Sequence, residues 1–297
     1  MQLKVSHKIA LGFAFLVLSI LLVGGGGLWG AKNLNRSLDQ VANQSLPTVV
    51  GSLEQMVTLQ QANLALLSYM SDDSNQEYRD QQQQQFNDQI TVFGEQLEGL
   101  AQQSALTDEQ RQQLAATSET KEQFSAAALH AMELHQNIVM LSQRLRQKES
   151  SFGRKMDTLN TWGQKYISRQ TDSDKLVKIR GFMRVANNHR SQVINYRQSL
   201  DFPKLEQQLK DSAGELDKAQ QALSAIDSTA KRIAPLVKDL LNDLYSDGGM
   251  VSLYRQSWQM EQQLVTQRET TLALQNQAKE AATAFISASL DQTAAQK

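Results

Sequence analysis

The stretch Ile9 to Leu28, IALGFAFLVLSILLVGGGGL, carries no charged residue. About 20 apolar residues at ~1.5 Å rise cover a ~30 Å hydrocarbon layer, and only a helix satisfies its own backbone there. This segment is therefore expected to be a membrane-spanning helix. A cleaved leader fits less well: the run is longer than the ~7–15 apolar residues of such a segment, and Leu28, Trp29, Gly30 and Ala31 make a poor cleavage pattern. Lys4 and Lys8 precede the span and favour a cytoplasmic N-terminus, while Trp29 suits an interfacial anchor. Lys32 and Arg36 follow it, so the charge bias is slight.

In a bacterium, that orientation places residues 1–8 in the cytoplasm, 9–30 in the inner membrane and 31–297 in the periplasm. With no cysteine, the exported part must rely on packing rather than disulfides. Lys and Arg total 30 against 31 Asp and Glu, so no global basic field invites nucleic acid. Only 3 prolines occur, and no run alternates β-branched or aromatic with polar residues. The expected fold class is all-α.

Apolar residues recur at alternating threes and fours in six segments. A first helix is expected from about Lys32 to Ser71, with Leu34, Leu38, Val41, Val49, Met56, Leu59, Leu66 and Met70 on its seam and a kink at Pro47. A second runs from about Gln76 to Gln103, with Phe86, Ile90, Phe93, Leu97 and Leu100 inward. Thr107 and Gln110 form a capping box that opens a third helix from Asp108 to about Ser168. A fourth follows Thr171-Asp172-Ser173-Asp174 and ends near Leu200. A fifth starts at Pro203 and ends near Ala225, and a last runs from about Thr229 to Asp291 with a bend or break at Gly248-Gly249. In residues these are about 40, 28, 60, 28, 23 and 60 long. With short connections and alternating direction, such lengths make two stacked four-helix bundles that share the two long helices. The membrane-proximal bundle would hold about 31–141 and 259–297, and the distal one about 142–258.

No zinc-protease motif, phosphate loop, nucleophile elbow or dinucleotide fingerprint occurs. Of four histidines, His130 and His135 sit five apart, a poor spacing for one metal, so neither metal nor cofactor is expected. Asp72-Asp73 at a turn suits helix capping. An enzyme is not expected.

The fourth helix is the informative one. Its seam, Leu176, Ile179, Met183, Ala186, Arg190, Val193, Arg197 and Leu200, puts two arginines on the apolar stripe. A guanidinium keeps its charge inside a protein and needs a partner. One possibility is a carboxylate of another helix, with Glu149 and Glu261 on neighbouring seams. The other is a bound small carboxylate, held bidentately. Arg184, Asn187, His189 and Tyr196 would complete such a site. Arg268 of the last helix and Asn63 of the first, at matching heights, form a second, weaker candidate. Trp162, Tyr254 and Trp258 suit the core better than a pocket wall, although Tyr254 is retained as a candidate contact.

An N-terminal span followed by six helices with a long third and sixth resembles the helical bimodular sensor domain of bacterial methyl-accepting chemotaxis receptors. The stretch Arg190-Ser191-Gln192-Val193-Ile194-Asn195-Tyr196-Arg197 is similar to an Arg-rich stretch of the distal-module helix in that family. The resemblance implies a chemotaxis receptor, a homodimer, and binding of small carboxylates such as tricarboxylic-acid-cycle intermediates or acetate between helices. Trimethylamine-oxide-type sensor kinases have a similar stacked ectodomain that engages a periplasmic binding protein, which is the alternative expectation. A helical scaffold without a small-molecule ligand is a further one. Such receptors continue into a second span and a signalling hairpin, whereas this sequence stops at Ala294-Ala295-Gln296-Lys297.

Overall fold

The computed structural model describes residues 46–103, 106–194 and 201–295. The expected span Ile9–Leu28, the first part of the expected first helix, and Asn195 to Leu200 with Tyr196 and Arg197 lie outside the described residues. Among the described residues no helix is long and apolar enough to cross a membrane.

The described chain is helical and contains no strand. In order, α1 is Leu46–Tyr69, α2 Gln76–Ala101, α3 Asp108–Arg169, α4 Ser173–Ile194, α5 Phe202–Ile226, a 3-10 turn Ser228–Ile233, α6 Ala234–Tyr245 and α7 Met250–Ala295. Local chemistry sets these boundaries. Asp72 Oδ1 accepts from the backbone N–H groups of Ser74 and Asn75 at 2.7 and 3.0 Å. These bonds hold the exposed Asp72 carboxyl below the usual carboxylate range. Asn75 Oδ1 then accepts from Tyr78 N at 3.1 Å and opens α2. The capping box forms as expected: Gln110 N donates to Thr107 Oγ1 at 3.2 Å, and Thr107 N donates to Gln110 Oε1 at 2.8 Å. Asp201 caps α5 through Lys204 N at 3.1 Å, with Pro203 in the first turn.

The expected last helix is interrupted. Pro235 has no N–H and sits at the start of α6, so the turn before it winds as a 3-10 segment. The break at Gly248-Gly249 separates α6 from α7, and Gly248 takes φ 70°, a conformation that costs other residues energy. Ser246 caps α6 through its backbone N–H to Asn242 O.

Two compact units result. The first contains residues up to Ala128 together with Thr270 onward, and the second contains Leu129–Glu269. In the first, α1 pairs with α2, and Phe86 and Phe124 meet at 6.0 Å between ring centroids. Leu59, Leu66, Phe93, Leu97 and Phe285 are buried there, and Gln110 Nε2 donates to Ser289 Oγ at 3.0 Å. The second unit holds a continuous apolar core that includes Phe152, Met156, Leu159, Phe182, Leu209, Leu216, Leu240 and Tyr254. Here α4 packs along α5.

Candidate functional site

The second unit contains the charged helix that the periodicity singles out. On α4 the buried residues are Ile179, Phe182, Met183, Ala186, His189 and Val193. Ile179, Phe182, Ala186, His189 and Val193 are spaced three and four apart, so this stripe is rotated one residue from the expected seam. His189, not Arg190, takes the core position. The physical reason is side-chain size and charge. An imidazole can be buried neutral, whereas a guanidinium cannot lose its proton and reaches for the edge of the stripe.

His189 is 0% exposed. Its Nδ1 lies 2.7 Å from Ser212 Oγ of α5, and that hydroxyl donates to Leu209 O at 3.0 Å. The hydroxyl proton is thus used, and Nδ1 carries the ring proton and donates. Nε2 has no partner among the described residues. The ring meets Phe152 of α3 edge-on at 6.1 Å. Burial lowers the His189 pKa from 6.5 to about 4.

Arg190 sits at the edge, with its side chain 31% exposed. Its Nη1 donates to Asp157 Oδ1 of α3 at 2.7 Å. The carboxylate partner is therefore Asp157, and not Glu149 or Glu261. Glu149 instead accepts from the hydroxyl of Tyr254 at 3.1 Å, and Val193 O lies 3.4 Å from the same hydroxyl. Tyr254 is buried and ties α7 to α3 and α4. Glu261 is exposed and accepts from Ser257 Oγ at 3.1 Å.

Further ion pairs join neighbouring helices around this core. Lys155 of α3 meets Asp243 of α6 at 2.6 Å. Arg255 of α7 donates to both oxygens of Glu206 of α5, at 2.6 and 3.3 Å, and Lys210 adds a contact at 2.8 Å. Hydrogen bonds from Arg255 and then Lys210 hold the Glu206 carboxyl below its ordinary range. Near the α4–α5 end, Tyr166 donates to the buried Asp227, which also has Lys175 at 3.9 Å.

The remaining candidates separate. Arg184 and Asn187 are exposed on α4. Asn63 is half-buried in the first unit, whereas Arg268 is exposed in the second. Trp162 and Trp258 pack partly buried against the core of the second unit. Open clefts occur among the described residues. One of about 470 Å³ is lined by Asp172, Asp174, Lys175, Val177, Lys178 and Ile226. One of about 460 Å³ is lined by Gln143, Arg146, Gln147, Ser150 and Arg154. One of about 320 Å³ in the first unit has Leu97 and Leu114 among its walls with Arg111 and Lys121. Sequence reasoning did not single out these clefts. The His189 position was open to it, since Ile179, Phe182, Ala186, His189 and Val193 already carry the heptad spacing.

Residues 2–140 match the four helix bundle sensory module for signal transduction. The described helices agree with that module in class. Solved structures share the fold over most of the chain. The TorS sensor domain in its complex with TorT, crystallised in the presence of TMAO, matches with a TM-score of 0.69 at 9% identity, covering 82% of this chain and 99% of that one. The sensor domain of the V. parahaemolyticus histidine kinase sensor TorS matches with a TM-score of 0.67 at 10% identity and the same coverage. At such identities the likeness concerns the fold alone. No curated protein sequence matches the chain.

Proposed function

We propose that this chain is the sensory part of a membrane-anchored bacterial receptor, with Ile9–Leu28 as its first span and residues 31–297 in the periplasm. It is a non-catalytic signal-transduction domain, and its output is chemotaxis. The observation that carries this reading is the sensory-module match over residues 2–140. The fold shared with TorS sensor domains over 82% of the chain supports it.

The stimulus in this reading is a small organic carboxylate received on α4. Arg190 is the entry point, because its guanidinium is partly exposed and its Asp157 partner is 65% exposed. An exposed pair of this kind contributes only about 0–1 kcal/mol, so a ligand carboxylate can exchange with Asp157 at small cost. Arg197 and Tyr196 follow on the same chain segment, Arg184 and Asn187 lie outward on α4, and Tyr254 braces the helices beneath. Arg268 and Asn63 stand as separate secondary contacts. Ligand binding then biases one packing of α3 against α4 over another.

Thermal unfolding with a panel of dicarboxylates and acetate tests this. A ligand at about 100 times its Kd adds about 2.7 kcal/mol, which a melt resolves easily. The expected result is a raised Tm in the wild type and no rise in Arg190→Ala. Asp157→Asn, which frees the guanidinium, should strengthen the response. If no acid shifts the Tm, the metabolite reading fails.

A second reading is that the stimulus arrives through a partner protein, as for a sensor kinase that engages a periplasmic binding protein. The cleft at the α4–α5 end favours it, because Val177 is 65% exposed and Ile226 40% exposed beside Lys175 and Lys178. Loss of partner capture in Val177→Glu, with an unchanged melt, supports that reading over the first.

A further inference from the structure

Arg79 is out of place in the buried stripe of α2. That stripe runs Arg79, Phe86, Phe93, Leu97 and Leu100, so a guanidinium takes a position that elsewhere holds aromatic rings and leucines. Arg79 is 2% exposed. A guanidinium does not give up its proton inside a protein, so the charge itself is buried. A buried charge without a counter-charge is strongly destabilising. The position adds to this, because the first turn of a helix is the positive end of its dipole and disfavours a cation.

The neighbours of Arg79 satisfy hydrogen bonds but not charge. Nη1 donates to Asp72 O at 2.9 Å, and Nη2 donates to Gln76 Oε1. Both acceptors are neutral. The Tyr69 hydroxyl also meets the guanidinium, and burial raises its pKa above the usual 10.0, so it stays neutral too. The carboxylates close by in sequence are engaged elsewhere. Asp72 Oδ1 accepts from Ser74 N, Ser74 Oγ and Asn75 N within the turn. Those turn bonds lower the Asp72 pKa, and the Arg79 charge contributes least to it. Asp80 Oδ1 accepts from Gln76 Nε2 at 2.7 Å. Among the described residues no carboxylate forms an ion pair with Arg79. Its Nε is buried and has no hydrogen-bond partner among them.

We propose that Arg79 is the centre of a binding site for a small monovalent inorganic anion, a halide, at the tip of the α1–α2 hairpin. The ion takes the Nε proton of Arg79 and supplies the charge that the surrounding side chains do not. Both Nη atoms already donate, so the fork that grips a carboxylate is largely committed, whereas a single-atom ion needs only Nε. The burial of Arg79 likewise favours a compact occupant over an organic acid. The exposed turn 71–75 beside the site is its route to solvent. The site lies in the first unit and does not depend on which stimulus the domain receives on α4.

The experiment uses the full chain in detergent micelles. Urea midpoints are read as chloride replaces gluconate at constant ionic strength, so that general screening stays the same. Chloride at about 10 times its Kd lowers the unfolding constant about 11-fold, and the midpoint should rise with the logarithm of chloride beyond that. Arg79→Gln keeps an amide donor and removes the charge, and its midpoint should not respond to chloride. Arg111→Gln, which removes an exposed cation of α3, should keep the wild-type response. Crystals grown with bromide give a reading that needs no variant: anomalous scattering should place an ion against Nε of Arg79. A wild-type midpoint that ignores chloride overturns the proposal, as does a chloride response that survives in Arg79→Gln. Should Arg79→Gln fail to fold, the bromide map decides, and no ion at Arg79 overturns the proposal as well.

Discussion

His189 has a measurable cost at low pH. Its pKa is about 4 in the folded chain against 6.5 when unfolded, so the unfolded state binds the proton first as pH falls. Stability that is present above pH 6.5 is therefore lost between 6.5 and about 4, by at most about 3 kcal/mol, and does not fall further from this group below that. Urea denaturation at pH 7 and pH 4.5 should show the loss in the wild type and a smaller loss in His189→Leu. An equal loss in both would assign the effect to other groups. Tyr254 gives a second residue-scale prediction. Tyr254→Phe keeps the ring and removes the hydroxyl that reaches Glu149 and Val193 O. It should cost about 1 kcal/mol in the same assay, typical of one hydrogen bond.

Two glycines show how elements limit one another. Gly163 of α3 is buried against α4, and a Cβ there would fall 2.9 Å from Met183 Cε and closer still to Met183 Sδ. The two helices approach closely because this position has no side chain. Gly163→Val should destabilise by about 2–3 kcal/mol through overpacking, read as a lower midpoint in urea. The Gly248-Gly249 break works differently. A Cβ on Gly249 would sit 2.7 Å from Leu244 O and 2.8 Å from Ser246 O, which are backbone atoms that cannot move aside. Gly249→Ala should cost about 1–3 kcal/mol and lower the Tm, although the same change on an open helix surface is stabilising.

At the scale of the molecule, the first unit depends on both ends of the described chain. Thr271, Gln275, Ala278, Ala282, Phe285 and Ser289 of α7 are buried, and Ser289 accepts from Gln110 near the start of α3. A chain ended after Glu269 loses all of these. Limited proteolysis should then cut within 46–128 while 129–269 stays protected, because the core of the second unit lies wholly within 141–254. Cleavage at equal rates in both stretches would mean that the two fold as one cooperative whole.

What the sequence by itself determined is the helical class, the long α3, the capping box at Thr107 and Gln110, and the place of the α6–α7 break. Each of these rests on local chemistry: spacing of apolar residues, side-chain caps, and glycine or proline at defined points. Only the tertiary structure decided which residue of α4 turns inward, because Arg190 and His189 are adjacent and both fit a seam read at 3.5 residues per turn. The choice depends on what stands opposite, with Ser212 and Phe152 receiving the imidazole and Asp157 holding the guanidinium at the edge. The same holds for α1. Burial of Ser52 and Gln55 against its own bundle is what leaves Leu53 and Val57 facing outward. Periodicity reports that a face must be covered, but its partner is fixed by contacts between residues far apart in the chain.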